Sequence, residues 1–112
     1  MIMQRNIKSA NVEFDDYGFL KYPETWTRET SQFLAVEEVP ADLTREHWQI
    51  IDYLRKYFIE NNTIPTVEML MQHTGFTIEH IYELFFHGFY RGACKVAGIP
   101  GRVVMVHECA GS

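Results

Sequence analysis

Residues 44–61 constrain the fold more than any other part of the chain. Thr44 is a good N-cap residue, and the apolar side chains after it recur at the spacing of one helix face. These apolar positions are Trp48, Ile51, Leu54, Tyr57 and Phe58. The polar and proline-containing residues 61–65 end the pattern. A helix with so broad an apolar face must bury it against other elements, so the sequence predicts a packed, mainly helical domain.

Four further segments have helical spacing and plausible start or stop residues. The predicted helices run from Trp26, capped by Thr25, to before Pro40; from about Thr66 to His73; from Thr77 to Phe85; and from Arg91 to Ala97. Gly75 lies in the short connection 74–76 and suits the left-handed conformation at a helix C-cap.

The N-terminal part of the chain has a different pattern. Residues 12–20 alternate apolar and polar side chains around the sequence Asp-Asp-Tyr-Gly, which predicts a short β-hairpin. Residues 1–11 show no clear period and read as a loose leader. The expected fold class is therefore α+β and mainly helical, with a small N-terminal antiparallel hairpin or meander packed on about five helices.

Composition narrows the class of protein. A chain of 112 residues has room for one domain, predicted over residues 1–100, with residues 101–112 as a flexible C-terminal arm. A net charge of −5 argues against a broad basic face for nucleic acid. No apolar run approaches the roughly 18 residues of a membrane span, and no export signal is recognisable. We therefore expect a cytoplasmic protein.

Both cysteines lie near the C-terminus, where backbone is least restrained. Cys109 sits in a small, polar tail, and a thiol on a mobile arm can reach another protein or fold back on Cys94. Lys95 and Arg102 favour thiolates electrostatically, whereas Glu108 opposes them. This arrangement suggests a carrier rather than a self-contained enzyme. The alternative is that Cys94 is a small core residue and Cys109 an incidental tail thiol.

Other site classes are less well supported. The cysteines, with His87 and His107, match no familiar zinc spacing, and no phosphate loop or nucleophile elbow is present, so no metal or cofactor is expected. The segment 66–85 has the form of a helix-turn-helix. Its second helix, however, offers Glu79 and Glu83 and no Arg, Lys, Asn or Gln, which predicts a scaffold and no nucleic-acid partner.

Several segments together resemble the DsrC/TusE family of small sulfur-relay proteins, which includes the gamma subunit of dissimilatory sulfite reductase. They are residues 16–20 (DYGFL), Trp26, 43–58 (LTREHWQIIDYLRKYF), 64–67 (IPTV), 81–85 (IYELF) and 92–100 (GACKVAGIP). The resemblance implies a small β-meander on about five helices, and sulfur carried as a persulfide on a cysteine of the C-terminal arm. It also implies an upstream sulfur donor, and an acceptor such as a sulfite reductase, a heterodisulfide-reductase-like complex or a tRNA-thiolation enzyme.

The arm departs from the family pattern, which ends Ala-Cys-Lys/Arg-x-Ala-Gly-Leu-Pro-Lys-Pro-x-Gly-Cys-Val. Cys94 and Lys95 match its first cysteine and basic neighbour, but the second proline is missing and Cys109 lies farther along. The resemblance thus predicts a sulfur carrier with Cys109 and Cys94 as working thiols, which form a persulfide or an internal disulfide or trisulfide. The alternative is a non-catalytic interaction or regulatory module of the same fold, possibly binding DNA through the helix-turn-helix.

Overall fold

The computed structural model describes residues 12–39 and 42–110, except for the side chains of residues 37 and 107–110. The described α-helices are α1 (Arg28–Leu34), α2 (Arg45–Asn61), α3 (Val67–Thr74), α4 (Ile78–Leu84) and α5 (Gly101–Ala110). Short 3-10 helices cover Pro23–Thr25 and Ala35–Glu37, and a π-helical turn covers Phe89–Cys94. No helix within these residues is long and apolar enough to cross a membrane.

Threonine caps the N-terminus of each of the first four helices. The side chains of Thr27, Thr44, Thr66 and Thr77 each accept a hydrogen bond from the backbone N–H three residues later. The predicted cap at Thr44 is therefore confirmed, and so is the left-handed Gly75, with φ +79°. The predicted cap at Thr25 is wrong, because its hydroxyl donates to the Tyr22 carbonyl oxygen inside the preceding 3-10 turn.

The predicted N-terminal β-hairpin is wrong, and with it the α+β class. Within the described residues there is no strand, and one isolated antiparallel bridge joins Phe14 to Leu20. The turn between them does form, with Asp15 Oδ1 accepting from the backbone N–H groups of Tyr17 and Phe19 at 2.8 and 3.0 Å. The 3-10 helix at Pro23–Thr25 then redirects the chain, so the pairing ends before a ladder can extend.

The core forms around α2. Ile50, Ile51 and Leu54 are fully buried, and α2 packs on α3 and on the π-helical turn. The rest of the core includes Leu70 of α3 and Ile81 of α4. A second, smaller cluster covers the N-terminal turn, where Val12 and Leu20 contact half-buried aromatic side chains. The aromatic and aliphatic face of α2 therefore accounts for the packed domain that surrounds this helix.

The C-terminal third differs from its predicted form. The helix predicted over 91–97 is a π-helical turn at Phe89–Cys94 followed by a short α-helical continuation, and it ends at Gly98, with φ +79°. The apolar run 103–106, which falls in the segment predicted to be a flexible arm, lies in α5. Neither proline nor glycine follows Gly101 within α5, so nothing in the sequence interrupts this helix.

Candidate functional site

Cys94 ends the π-helical turn and points into the core. It is 0% exposed, and its carbonyl oxygen accepts a hydrogen bond from the backbone N–H of Ile99 at 3.1 Å. Burial raises the pKa of the Cys94 thiol far above its ordinary value. The side chain is therefore a neutral thiol in this conformation, and a neutral thiol is a poor nucleophile.

Two polar side chains fix the backbone that follows Cys94. Ser31 Oγ donates to the Val96 carbonyl oxygen at 2.6 Å and accepts from Trp26 Nε1 at 2.7 Å. Arg55 donates to the carbonyl oxygens of Ala97 and Pro23 at 3.0 and 3.1 Å. These bonds join α1 and α2 to the residues that carry the candidate thiol.

Arg55 was not singled out by the sequence analysis, although it interrupts the otherwise apolar inner part of α2. Its guanidinium lies 4.2 Å from the centroid of the Trp26 ring, and burial lowers its pKa to about 10. The same ring explains Gly98, since a Cβ there would come within 2.5 Å of Trp26 Cδ1. The sequence feature that could have identified Arg55 was an arginine in a helix predicted to be buried, combined with the glycine-containing turn at Gly98.

The two predicted supporting cations occupy different places. Lys95 Nζ lies 5.8 Å from the centroid of the Phe19 ring, over the N-terminal turn. Arg102 is exposed at the second position of α5. Burial is the cause of the raised Cys94 pKa, so neither cation offsets it in this conformation. Their support of a thiolate stays a prediction.

The backbone of Cys109 belongs to α5, while its side chain lies outside the described residues. Val104 anchors this helix and is 0% exposed, and Val103 and Met105 pack against the same core. Arg91 Nη2 lies 3.9 Å from Met105 Sδ. The predicted arm thus begins as a helix that rests on the π-helical turn. Its mobility and the domain boundary at residue 100 stay predictions.

The histidines near this region have other partners. His87 was one of the residues considered as a zinc ligand. Its Nδ1 lies 2.7 Å from Oε1 of the buried Glu38. No group of three or more metal-ligating side chains occurs within the described residues. His107 and Cys109 were also considered as zinc ligands, and their side chains lie outside the described part of the structure.

The helix-turn-helix-like pair, α3 and α4, presents an acidic outer face. Glu79 and Glu83 are exposed on α4. His80 lies between carboxylates, with Nε2 2.9 Å from Glu46 Oε1 and Nδ1 3.3 Å from Glu83 Oε1. This arrangement joins α4 to α2 and leaves carboxylates where a DNA reader needs cations or amides.

Comparison with known proteins agrees with this architecture. Residues 6–103 match the family described as "DsrC like protein". The chain is 38% identical over 93 residues to "Sulfite reductase, dissimilatory-type subunit gamma" of Nitratidesulfovibrio vulgaris (strain Hildenborough), covering 83% of this chain and 89% of the relative. It is 29% identical over 100 residues to "Sulfurtransferase TusE" of Escherichia coli (strain K12), covering 83% and 91%.

The solved structures that resemble the chain include the oxidized gamma subunit of the dissimilatory sulfite reductase (DsrC) from Archaeoglobus fulgidus. The TM-score is 0.77 at 37% identity, covering 85% of this chain and 92% of that one. The DsrC of Allochromatium vinosum superposes with a TM-score of 0.75 at 27% identity, covering 89% and 95%. The family match extends over most of the sequence and the fold agrees, so this chain belongs to the DsrC-like family, as the sequence motifs predicted.

Proposed function

We propose that this protein is a sulfur carrier that holds sulfur as a persulfide on Cys109 and delivers it to a partner enzyme. The observation that carries the assignment is the burial of Cys94. The chain has two cysteines, and the fully buried one has a pKa that burial raises. Cys109 is therefore the thiol assigned to loading.

Spacing along the chain supports the same assignment. In the family pattern the second cysteine follows the first by eleven residues, and here that position is Met105. A thioether has no proton to lose and cannot act as the attacking thiolate. Cys109 comes four residues later, one helical turn beyond the usual position. In this proposal the carrier thiol therefore lies one helical turn farther along the chain than the second cysteine of the family pattern.

Loading is a thiol–disulfide-type exchange. The Cys109 thiolate attacks the outer sulfur of a donor protein's persulfide, the donor's S–S bond breaks, and the donor leaves as a thiolate. Delivery repeats the step in the other direction, since an acceptor thiolate takes the outer sulfur and releases the Cys109 thiolate. Neither step needs an external oxidant or reductant, which suits a chain that acts between two enzymes.

Cys94 provides a second route. Its thiolate attacks the inner sulfur of the Cys109 persulfide, forming the Cys94–Cys109 disulfide and releasing hydrosulfide, and a dithiol reductant then restores both thiols. A disulfide requires Cα atoms within about 7 Å. Because Cys94 is buried, this route requires a change in the C-terminal region before the two sulfurs meet.

The relatives' names support partners in sulfur transfer. One relative is a subunit of a dissimilatory-type sulfite reductase and another is a sulfurtransferase. We therefore propose an upstream persulfide donor, and an acceptor that is a sulfite reductase, a heterodisulfide-reductase-like complex or a tRNA-thiolation enzyme. Cytoplasmic location is part of the same proposal.

Mass spectrometry after incubation with a persulfide donor tests the function. The wild-type chain should gain about 32 Da, the mass of one sulfur atom, on a cysteine. Cys109→Ser should abolish loading, whereas Cys94→Ser should load normally but form no internal disulfide. The Cys94→Ser, Cys109→Ser double variant controls for non-specific adducts.

Two results would contradict the proposal. Normal loading of Cys109→Ser with loss of loading in Cys94→Ser would make Cys109 incidental. Loading of neither cysteine would favour the alternative, a non-catalytic module of this fold. No contact in the described residues favours DNA binding for such a module, because the α3–α4 pair presents Glu79 and Glu83.

A further inference from the structure

A small cavity lies between α3, α4 and the start of the π-helical turn, with a volume of about 210 Å³. The apolar part of its lining is Val67 of α3, Ile78 of α4 and Phe89 of the π-helical turn. Phe89 is buried and the other two are half-buried. An apolar protein cavity of about 150 Å³ is large enough to bind benzene. This cavity, called the aromatic cavity below, can therefore hold one aromatic side chain.

Two tyrosines complete the walls of the aromatic cavity, Tyr82 of α4 and Tyr90 of the π-helical turn. Gly88 has φ +86°, and a Cβ there would come within 3.1 Å of two carbons of the Tyr82 ring. The glycine therefore allows this ring to stand directly against the backbone. Aromatic rings favour edge-to-face or offset contacts with other rings, so these walls suit an aromatic occupant better than an aliphatic one.

The lining includes an arginine and a histidine, and among the described residues no carboxylate lines the cavity. Arg91 is exposed. The half-exposed His87 is paired with the buried Glu38, with Nδ1 2.7 Å from Oε1. On the neighbouring helix α4, the Glu83 carboxylate lies 3.3 Å from His80 Nδ1. The charge of the lining therefore favours an occupant with a carboxylate close to its ring.

The surface beside the cavity favours a protein occupant over a small molecule. Tyr82 is 54% exposed, and Phe86, which does not line the cavity, is 73% exposed. A ligand that fills the cavity need not cover Phe86, whereas a protein segment can cover both rings. Exposed aromatic side chains together with an arginine are also the composition that is enriched in protein interfaces.

The aromatic cavity lies next to the helix that carries Cys109. Arg91 Nη2 is 3.9 Å from Met105 Sδ, and α5 packs on the π-helical turn. The backbone of Cys109 follows Met105 by four residues in α5, which is about one helical turn. A protein that exchanges sulfur with Cys109 must approach α5, and it can contact the aromatic cavity from there.

We propose that the aromatic cavity receives an aromatic side chain, with a carboxylate on a neighbouring residue, from the protein that exchanges sulfur with Cys109. The ring fills the space between Tyr82 and Phe89, the carboxylate pairs with Arg91, and Phe86 packs at the edge of the contact. That this protein takes part in sulfur exchange rests on the proposed function, whereas the match of ring and carboxylate rests on the cavity alone.

A peptide titration followed by NMR tests the proposal on the full chain. The probe is acetyl-Ala-Phe-Asp-Ala-amide, added to the ¹⁵N-labelled protein at low salt. It should shift the amide signals of Tyr82, Gly88 and Arg91 in a saturable way. Replacing its phenylalanine with alanine should weaken binding about tenfold, and replacing its aspartate with asparagine about threefold.

Matched variants locate the binding on the protein. Tyr82→Ala should weaken peptide binding about tenfold, whereas Tyr22→Ala should leave it unchanged, because Tyr22 is an exposed tyrosine outside the cavity. Arg91→Gln should weaken it about threefold. Arg45→Gln is the control, since Arg45 is exposed on α2 and does not line the cavity. The altered peptides keep the test valid if Tyr82→Ala folds poorly.

Several results would overturn the proposal. These are the absence of saturable shifts, shifts centred elsewhere, and equal affinity for the alanine-substituted peptide. Shifts of the same amides by protein concentration alone would assign the cavity to a second copy of the chain. Equal affinity for phenylacetate would assign it to a small molecule.

The titration transfers no sulfur, so its outcome can be separated from the loading of Cys109. Peptide binding by a chain that does not load would support the cavity and remove the sulfur-exchange partner. Loading by a chain that binds no peptide would leave the proposed function and overturn the cavity.

Discussion

The hydroxyl of Ser31 donates a hydrogen bond of 2.6 Å to the carbonyl oxygen of Val96, and both residues are fully buried. The same hydroxyl oxygen accepts from Trp26 Nε1. One small side chain in α1 therefore satisfies a backbone acceptor two residues after Cys94, 65 positions along the chain. The position of the candidate thiol depends on this long-range contact.

Ser31→Ala should lower the free energy of unfolding by about 1–3 kcal/mol, because it leaves the Val96 carbonyl and the Trp26 N–H without their partner in a buried site. Urea denaturation measures the change. Thr25→Ala is the control, since Thr25 makes an exposed hydroxyl bond to Tyr22 and its loss should cost less than about 0.5 kcal/mol. Equal losses in the two variants would contradict the buried role of Ser31.

Arg55→Lys should also destabilise the protein, by about 1–3 kcal/mol, because a lysine cannot donate to Ala97 and Pro23 from a planar fork. Arg28→Lys is the matched control. Arg28 lies 3.8 Å from the centroid of the Trp48 ring, as Arg55 lies over Trp26, but Arg28 is exposed. A smaller loss of stability in Arg28→Lys would show that the hydrogen bonds to carbonyl oxygens contribute at Arg55 beyond the stacking. Equal losses of stability would show that stacking alone accounts for the effect of Arg55→Lys.

Local patterns predicted much of the fold. The apolar face of α2, the cap at Thr44 and the C-cap at Gly75 depend on residues close in sequence, and each was predictable from spacing and propensity. The hairpin was wrong because alternation cannot show how far a ladder extends. There the Asp15 carboxylate takes two backbone donors, and the described pairing is limited to the isolated bridge between Phe14 and Leu20.

The candidate site was less predictable. The family motif identified Cys94 and Lys95, but burial of the thiol depends on the tertiary packing of the main core around the π-helical turn. Arg55 holds backbone carbonyls more than 40 residues away, a contact with no local signature. The helix at 101–110 was missed because an apolar run of four residues fits a strand, a helix or a loose arm equally well.

The α3–α4 pair should not bind DNA with micromolar affinity at physiological salt. The exposed carboxylates of Glu79 and Glu83 would repel phosphates. Fluorescence anisotropy with a labelled duplex, at low and physiological salt, measures this. A Glu79→Lys, Glu83→Lys variant should gain weak, salt-sensitive binding, which provides the positive control. Tight binding by the wild-type chain would instead support the regulatory alternative.

His47 should make the protein less stable in acid. Its Nδ1 accepts from the Thr44 N–H at 3.0 Å, so Nε2 carries the proton and donates to the Leu84 carbonyl oxygen at 2.9 Å. Burial lowers the pKa of His47 below 6.5, so the unfolded chain binds the extra proton first. The contribution of this neutral imidazole is complete above about pH 6.5 and falls as the pH drops through the lowered pKa.

His47→Gln tests this dependence by urea denaturation at about pH 5 and pH 8. The variant should be less stable than wild type at both values, because the Leu84 and Thr44 contacts are disturbed. The difference should be larger at the higher pH, where the wild-type contribution is complete. A larger difference at the lower pH would show that His47 is stabilised in its charged form.

His80 should show the opposite pH dependence. Hydrogen bonds to Glu46, and then to Glu83, raise the pKa of His80 above its ordinary 6.5. The folded chain therefore binds the proton more tightly than the unfolded one, and the contribution is complete below about pH 6.5 and lost as the pH rises through the raised pKa. His80→Gln should therefore destabilise the protein more at about pH 5.5 than at pH 8.5, with the difference reduced by added salt.

Because this site is partly exposed, the effect should be small, and its sign relative to His47→Gln is the informative result. The same sign in both variants would mean that the Glu46–His80 contact does not form a charged pair between α2 and α4.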